Sequence, residues 1–147
     1  MRRILVACQL AALLCVASRA LGATEHVGIV KSLSGDVTVA REGSVMKAGP
    51  NLKLFQGDLV QTGPNGKAGL ILEDDTVISL GSNSRLAIKE FAFKPNEKKL
   101  SLVARIYQGT VSFLSGQIAK LAPRQVHIET PSATVGVRGT HVLVRVD

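Results

Sequence analysis

The sequence predicts an all-β domain, built as a short irregular solenoid or roll, with a β-sandwich or small barrel as the alternative architectures. Three observations point there. Short apolar segments alternate with period two and are rich in valine, isoleucine and threonine, residues that suit a pleated, half-buried surface. Glycine-centred turn signals separate these segments at fairly even spacing. A turn-then-strand rhythm recurs around Gly57-Asp58, Asp75-Thr76, Asn83-Ser84 and Gly109-Thr110 without strict self-similarity, as in a coil whose turns bury each other's apolar faces.

The chain opens with Arg2 and Arg3, then an apolar run from Ile4 to Ala17 broken only by Gln9, then small residues at Ala20, Gly22 and Ala23. That order describes a secretory signal peptide. The run falls short of the roughly 20 apolar residues of a membrane span. Residues 1–22 are read as the signal peptide, with cleavage after Gly22 or Ala23, and residues 23–147 as a single exported domain in the periplasm. A retained N-terminal anchor is the alternative. Cys8 and Cys15 both lie in the leader, so the expected mature chain holds no disulfide and no thiolate metal site. Leu14 directly before Cys15 argues against lipidation.

Loss of residues 1–22 removes Arg2, Arg3 and Arg19 and no acidic residue. Eighteen basic side chains become fifteen against eleven acidic ones, and the net charge falls from +7 to +4. A charge of that size is ordinary for a soluble domain and gives little support to nucleic-acid binding. Tryptophan is absent and Tyr107 is the one tyrosine, so aliphatic side chains must build the core.

Val37-Thr38-Val39 is predicted to pair with Val45-Met46-Lys47 across Arg41-Glu42-Gly43, a hairpin. Leu54 to Val60 follows, with a turn at Gly57-Asp58. Thr62-Gly63-Pro64-Asn65-Gly66 demands a tight reversal, because proline fixes one dihedral and Asn-Gly tolerates positive φ. Strands are then predicted at Ala68–Leu72, Val77–Leu80 and Leu86–Ile88, with turns at Asp74-Asp75 and Gly81 to Ser84. Phe91 to Lys99 is polar and Pro-Asn-punctuated, and reads as a protruding loop or hairpin tip. Leu100–Tyr107 and Thr110–Leu114 flank Gln108-Gly109 as two further strands. Gln117 to Leu121 has helical composition. Val126–Glu129 and Thr140–Val146 close the chain, and the last strand is read either as a sheet edge, open to self-association or to strand addition by a partner, or as interior and fully paired.

Catalytic and metal chemistry find little footing. His26, His127 and His141 are scattered, although His127 and His141 fall on late strands that can approach one another; a structural zinc site normally needs four ligands. Glu73-Asp74-Asp75 lacks the alternating oxygen pattern of a calcium loop and reads as a turn. Ser112, His127 and Asp75 assemble a triad only on paper, without a nucleophile-elbow pattern around the serine. No enzyme activity, cofactor or metal is expected. Lys89, Lys94, Lys98 and Lys99, interleaved with Phe91 and Phe93, form a basic cluster suited to an anionic envelope glycan; solvated lysines above buried phenylalanines explain the same spacing.

The stretch Thr130-Pro131-Ser132-Ala133-Thr134-Val135-Gly136-Val137-Arg138-Gly139-Thr140 is the most distinctive in the chain. Together with Gly28-Ile29-Val30, Gly35-Asp36-Val37, Gly57 to Gly63, Asp74-Asp75-Thr76 and Asn83-Ser84, in that order, it resembles the FecR domain family. The resemblance implies an elongated all-β roll or solenoid in the bacterial envelope. The best-known members of that family join a periplasmic domain to a cytoplasmic half that handles a sigma factor. This chain departs from that plan, so the resemblance implies a free-standing exported domain without the sigma-factor role.

Arg138, framed by Gly136 and Gly139, carries two readings. In one it is an internal clamp on turn carbonyls or on a carboxylate such as Glu129 or Asp58. In the other it contacts a partner. The clamp is the preferred reading. The function expected is a non-enzymatic periplasmic module that binds an envelope protein, as scaffold or signalling accessory, through Thr130, Pro131, Gly136, Arg138, Gly139 and Thr140. Glycan binding through the Lys89–Lys99 region is the alternative, and a hydrolase using Ser112 and His127 is a third.

Overall fold

The computed structural model describes residues 25–138 and 141–147. The expected signal peptide with its cleavage site, and Gly139-Thr140 of the signature, lie outside the described residues. The strands are β1 (Gly28–Ser34), β2 (Val37–Arg41), β3 (Ser44–Lys47), β4 (Lys53–Leu54), β5 (Leu59–Thr62), β6 (Lys67–Leu72), β7 (Val77–Leu80), β8 (Arg85–Lys94) and β9 (Lys99–Leu114). A short helix, α1 (Gln117–Leu121), precedes β10 (Val126–Glu129), β11 (Thr134–Gly136) and β12 (His141–Val146).

These strands form one curled sheet in the order β3-β2-β5-β8-β9-β7-β6-β1-β4, with β10 and β12 added on β9 and β11 on β10. The all-β expectation is met, as an antiparallel half-barrel. A solenoid of stacked coils would pair its strands in parallel, whereas here β9 with β10 is the one parallel pair among the described residues. The architecture therefore departs from stacked coils and stands nearer a roll or an open barrel. The spacing of turn signals is the same in either case, which is why it does not separate them.

β9 organises the molecule. Its first part pairs with β8, Lys94 opposite Lys99 to Arg85 opposite Gln108. Its last part pairs with β7, Leu80 opposite Val111 to Val77 opposite Leu114. Gln108-Gly109, expected to separate two strands, is instead a bend within one strand. Gly109 takes φ +95°, and a Cβ there would collide with the Ser84 side chain and Cα. Only glycine combines that dihedral with so close an approach. Ser84 is buried and stitches the bend, with its Oγ accepting from Thr110 N at 3.1 Å.

The core lies on the concave side of the curl. Val30, Leu54, Leu70, Ile78, Leu86, Ile88, Ile106, Phe113 and Ile118 are fully enclosed, each worth about 1.5–3 kcal/mol relative to exposure. All but Ile118, which α1 supplies, come from the strands, where side chains alternate between faces. Aliphatic side chains dominate, and Phe113 is the one aromatic residue fully inside.

Turn chemistry accounts for most boundaries. Glu42 (φ 50°) and Gly43 (φ 81°) close the β2–β3 hairpin, the left-handed pair that matches strand twist. Phe91 to Lys99, expected as a protruding loop or hairpin tip, is the end of the β8–β9 hairpin: Phe91–Lys94 continues β8, and the tip is a single 3-10 turn at Pro95–Glu97, followed by Lys98 at φ 54°. α1 forms where helical composition predicts it, and a distant carboxylate caps it. Asp74 Oδ2 accepts from Ile118 N at 3.1 Å in place of a side chain from the N-cap residue Gly116.

Candidate interaction site

The signature segment folds as a hairpin. His127 lies opposite Gly136, Ile128 opposite Val135 and Glu129 opposite Thr134. The segment is thus a loop, Thr130–Ala133, followed by a short strand. Thr130 closes the loop: its backbone N donates to Ala133 O at 2.8 Å, and its Oγ1 accepts from Ala133 N at 3.1 Å. Pro131 sits exposed at the tip and supplies a fixed φ for the reversal. Val137 then plugs the core at 0% exposure, and its N–H donates to Val126 O. Alternation turns Arg138 outward, where it is exposed.

The clamp reading of Arg138, on turn carbonyls or on a carboxylate, finds no contact to support it among the described residues, and both carboxylates envisaged for it have other partners. Asp58, at 1% exposure, is held by Arg41 through Nε at 2.9 Å and a terminal nitrogen at 2.7 Å. Glu129 lies 3.6 Å from Arg105. No hydrogen bond or ion pair of Arg138 occurs among the described residues. Arg138 instead shares a groove of about 480 Å³ with Pro123, Arg124, His127 and Gly136. A Cβ built on Gly136 meets nothing within 4 Å, so the glycine leaves open space beside His127. Arg124 carries no signal of its own in the sequence, and His127 is read there only with His141 and Ser112; the β10–β11 pairing sets His127 opposite Gly136 and so beside Arg138.

The lysine cluster divides. Lys94 and Lys99 line a groove of about 890 Å³ that also holds Lys53, Phe55, Phe91 and Phe93. Three of the four phenylalanines in the chain therefore meet in one open groove. Lys98 lines a second groove, which shares Ala92 and Lys99 with the first, and Lys89 sits at the irregularity between Ile88 and Glu90, lining neither. Glu25, Glu73 and His26 border the phenylalanine groove, with His26 Nε2 2.8 Å from Glu73. Its charge is mixed.

Phe55 is built into that groove by the Asp58 clamp. Asp58 Oδ2 accepts from Phe55 N at 2.8 Å, Arg41 donates to Lys53 O at 3.0 Å, and the guanidinium stacks 4.5 Å from the Phe55 ring. The hydrogen bond to Asp58 raises the Arg41 pKa above its ordinary value. Gln56 Oε1 accepts from Phe91 N at 3.1 Å and ties the two walls together.

The remaining polar residues disperse. Ser112 bonds His141 at 2.6 Å, not His127, and Asp75 accepts from Gln117 Nε2 at 2.8 Å. The paper triad of Ser112, His127 and Asp75 is therefore not assembled. His127 and His141 do not approach: β10 lies against Leu102–Arg105 of β9 and β12 against Gly109–Leu114. Glu73, Asp74 and Asp75 diverge to His26, Thr76 and Gln117. Among the described residues no three His, Cys, Asp or Glu side chains converge.

Four strands pair on one side only among the described residues, β3 and β4 at the ends of the sheet and β11 and β12 late in the chain. β11 pairs only with β10, and β12 only with β9. Leu143 on β12 is 67% exposed, while Val142, Val144 and Val146 pack against the core.

Residues 58–147 match the family model described as FecR protein. That span covers more than half of the chain and includes β9, α1 and the signature hairpin. No curated protein and no solved structure matches the chain.

Proposed function

The chain belongs to the FecR family of signalling-related envelope domains, and from that premise we propose that it is an exported, non-enzymatic module of the periplasm that binds another envelope protein. It serves there as a scaffold or signalling accessory. The observation that carries this reading is Arg138: it stands exposed on the most distinctive segment of the chain, and the carboxylates that would have claimed it internally are ion-paired with Arg41 and Arg105. Arginine is enriched among residues that dominate interface energies.

The test is in-cell crosslinking of the tagged protein, comparing wild type with Arg138→Ala. The variant should melt with wild type, since an exposed side chain away from caps and cores changes stability by at most about 0.5 kcal/mol. Capture of the partner should fall about tenfold or more, the effect of losing roughly 1.4 kcal/mol of contact. Undiminished capture, or a chain that stays in the cytoplasm with its N-terminus intact, contradicts the proposal.

A second reading, binding of an anionic glycan, draws on the phenylalanine groove. Aromatic walls with Lys53, Lys94 and Lys99 on the rim combine apolar contact with placed cations, as ligand grooves do. On this reading, retention on purified sacculi is lost in a Lys53→Glu, Lys94→Glu, Lys99→Glu variant and kept in Lys89→Glu. Equal loss in both reduces the effect to bulk charge.

A further inference from the structure

From the signature hairpin we infer the chemistry of the partner: an extended, carboxylate-bearing peptide segment that adds along the free edge of β11 and sets its acidic side chains on Arg124 and Arg138. The inference rests on the protein-binding reading and specifies it.

Two independent features converge on this ligand. The first is charge. Arg124 and Arg138 are exposed, share one groove with His127, and have no carboxylate partner among the described residues. The carboxylates nearest along the sheet are already engaged. Glu90 shares a cross-strand row with Val103, His127 and Gly136, and accepts from Ser101 Oγ at 3.0 Å. Glu129 faces Arg105. Two guanidinium forks therefore await planar anions, the geometry in which arginine binds carboxylates best.

The second feature is the backbone. Among the described residues β11 pairs on one side only, and Thr134, Val135 and Gly136 are all exposed. An edge strand offers unpaired N–H and C=O groups to another strand. A peptide satisfies both features at once, with main chain on β11 and every second side chain, about 6.6 Å apart, on the arginine face. A polysaccharide answers the charge but has no amide ladder for the edge. No proline, lysine or glutamate in Thr134–Gly136 blunts this edge, the usual devices against strand addition.

The test uses the purified exported protein and a fluorescein-labelled peptide of alternating glutamate and threonine, read by anisotropy. Saturable binding is expected. It should weaken about tenfold or more in Arg124→Glu, Arg138→Glu protein, with an unchanged melting temperature, and weaken again when alternate amides of the peptide are N-methylated. Four results overturn the inference: no binding; binding indifferent to the double substitution; equal binding of an alternating lysine-threonine peptide; or binding of polygalacturonate as tight as that of the peptide and unaffected by N-methylation. Partner capture in cells separates this inference from the reading beneath it. Capture that survives the double substitution removes the acidic-segment inference and leaves protein binding standing, whereas wild-type protein that captures nothing removes both.

Discussion

Gly109→Ala is expected to lower the unfolding free energy by about 4 kcal/mol, among the largest effects a single substitution produces. Two costs add. At φ +95° an L side chain is strained by roughly 1–2 kcal/mol. The new Cβ also strikes Ser84, whose Cβ lies 2.7 Å from where it would sit, and Ser84 has no room to retreat because it is buried and bonded to both Thr110 N and Thr110 O. Relief requires β9 to straighten, and β9 is the strand that joins the β8 and β7 halves of the curl. Denaturant unfolding is the check. A midpoint close to wild type would mean that the bend at Gly109 is dispensable.

Asp74→Ala is expected to cost about 3 kcal/mol, while Asp75→Ala next to it costs about 1 kcal/mol, mostly the strain of alanine at φ 68°. Asp74 is 0% exposed. Its carboxylate accepts from Thr76 N at 3.2 Å, Thr76 Oγ1 at 2.8 Å and Ile118 N at 3.1 Å, and its carbonyl accepts from Gln117 N at 2.7 Å. Alanine leaves three buried donors unmet and removes the anion at the start of α1. Asp75 is exposed and holds only Gln117 Nε2. Thermal melts of the pair measure the contrast. Equal effects would show that the carboxylate at Asp74 is not what seats α1 against the β6–β7 turn.

Local chemistry was legible in the sequence and long-range pairing was not. The Arg41-Glu42-Gly43 hairpin and the α1 segment could be read because turn propensity and helical composition act over a few residues. Gly109 resembles every other turn glycine until Ser84, far away in the chain, is seen pressed against it. Parallel coils and antiparallel hairpins share the same alternation and turn spacing, so the half-barrel was one of several architectures compatible with the pattern. Arg138 was conspicuous, but its freedom depends on Arg41 and Arg105 having taken the acids, which only the fold decides. Lys94 and Lys99 were named from a charge run, whereas Phe55 joins their groove through the Asp58 clamp, with no signal in its own neighbourhood.

The central claim, that the signature hairpin is a protein-contacting surface, is tested most directly by site-specific photo-crosslinking in living cells. A photoreactive side chain is placed at Thr134 on β11 in one variant and at Lys98 on the β8–β9 tip in another. Both positions are exposed, so neither substitution should disturb the fold. The account predicts a discrete protein adduct from position 134 and none from position 98. An adduct from position 98 alone, or from neither, would contradict it.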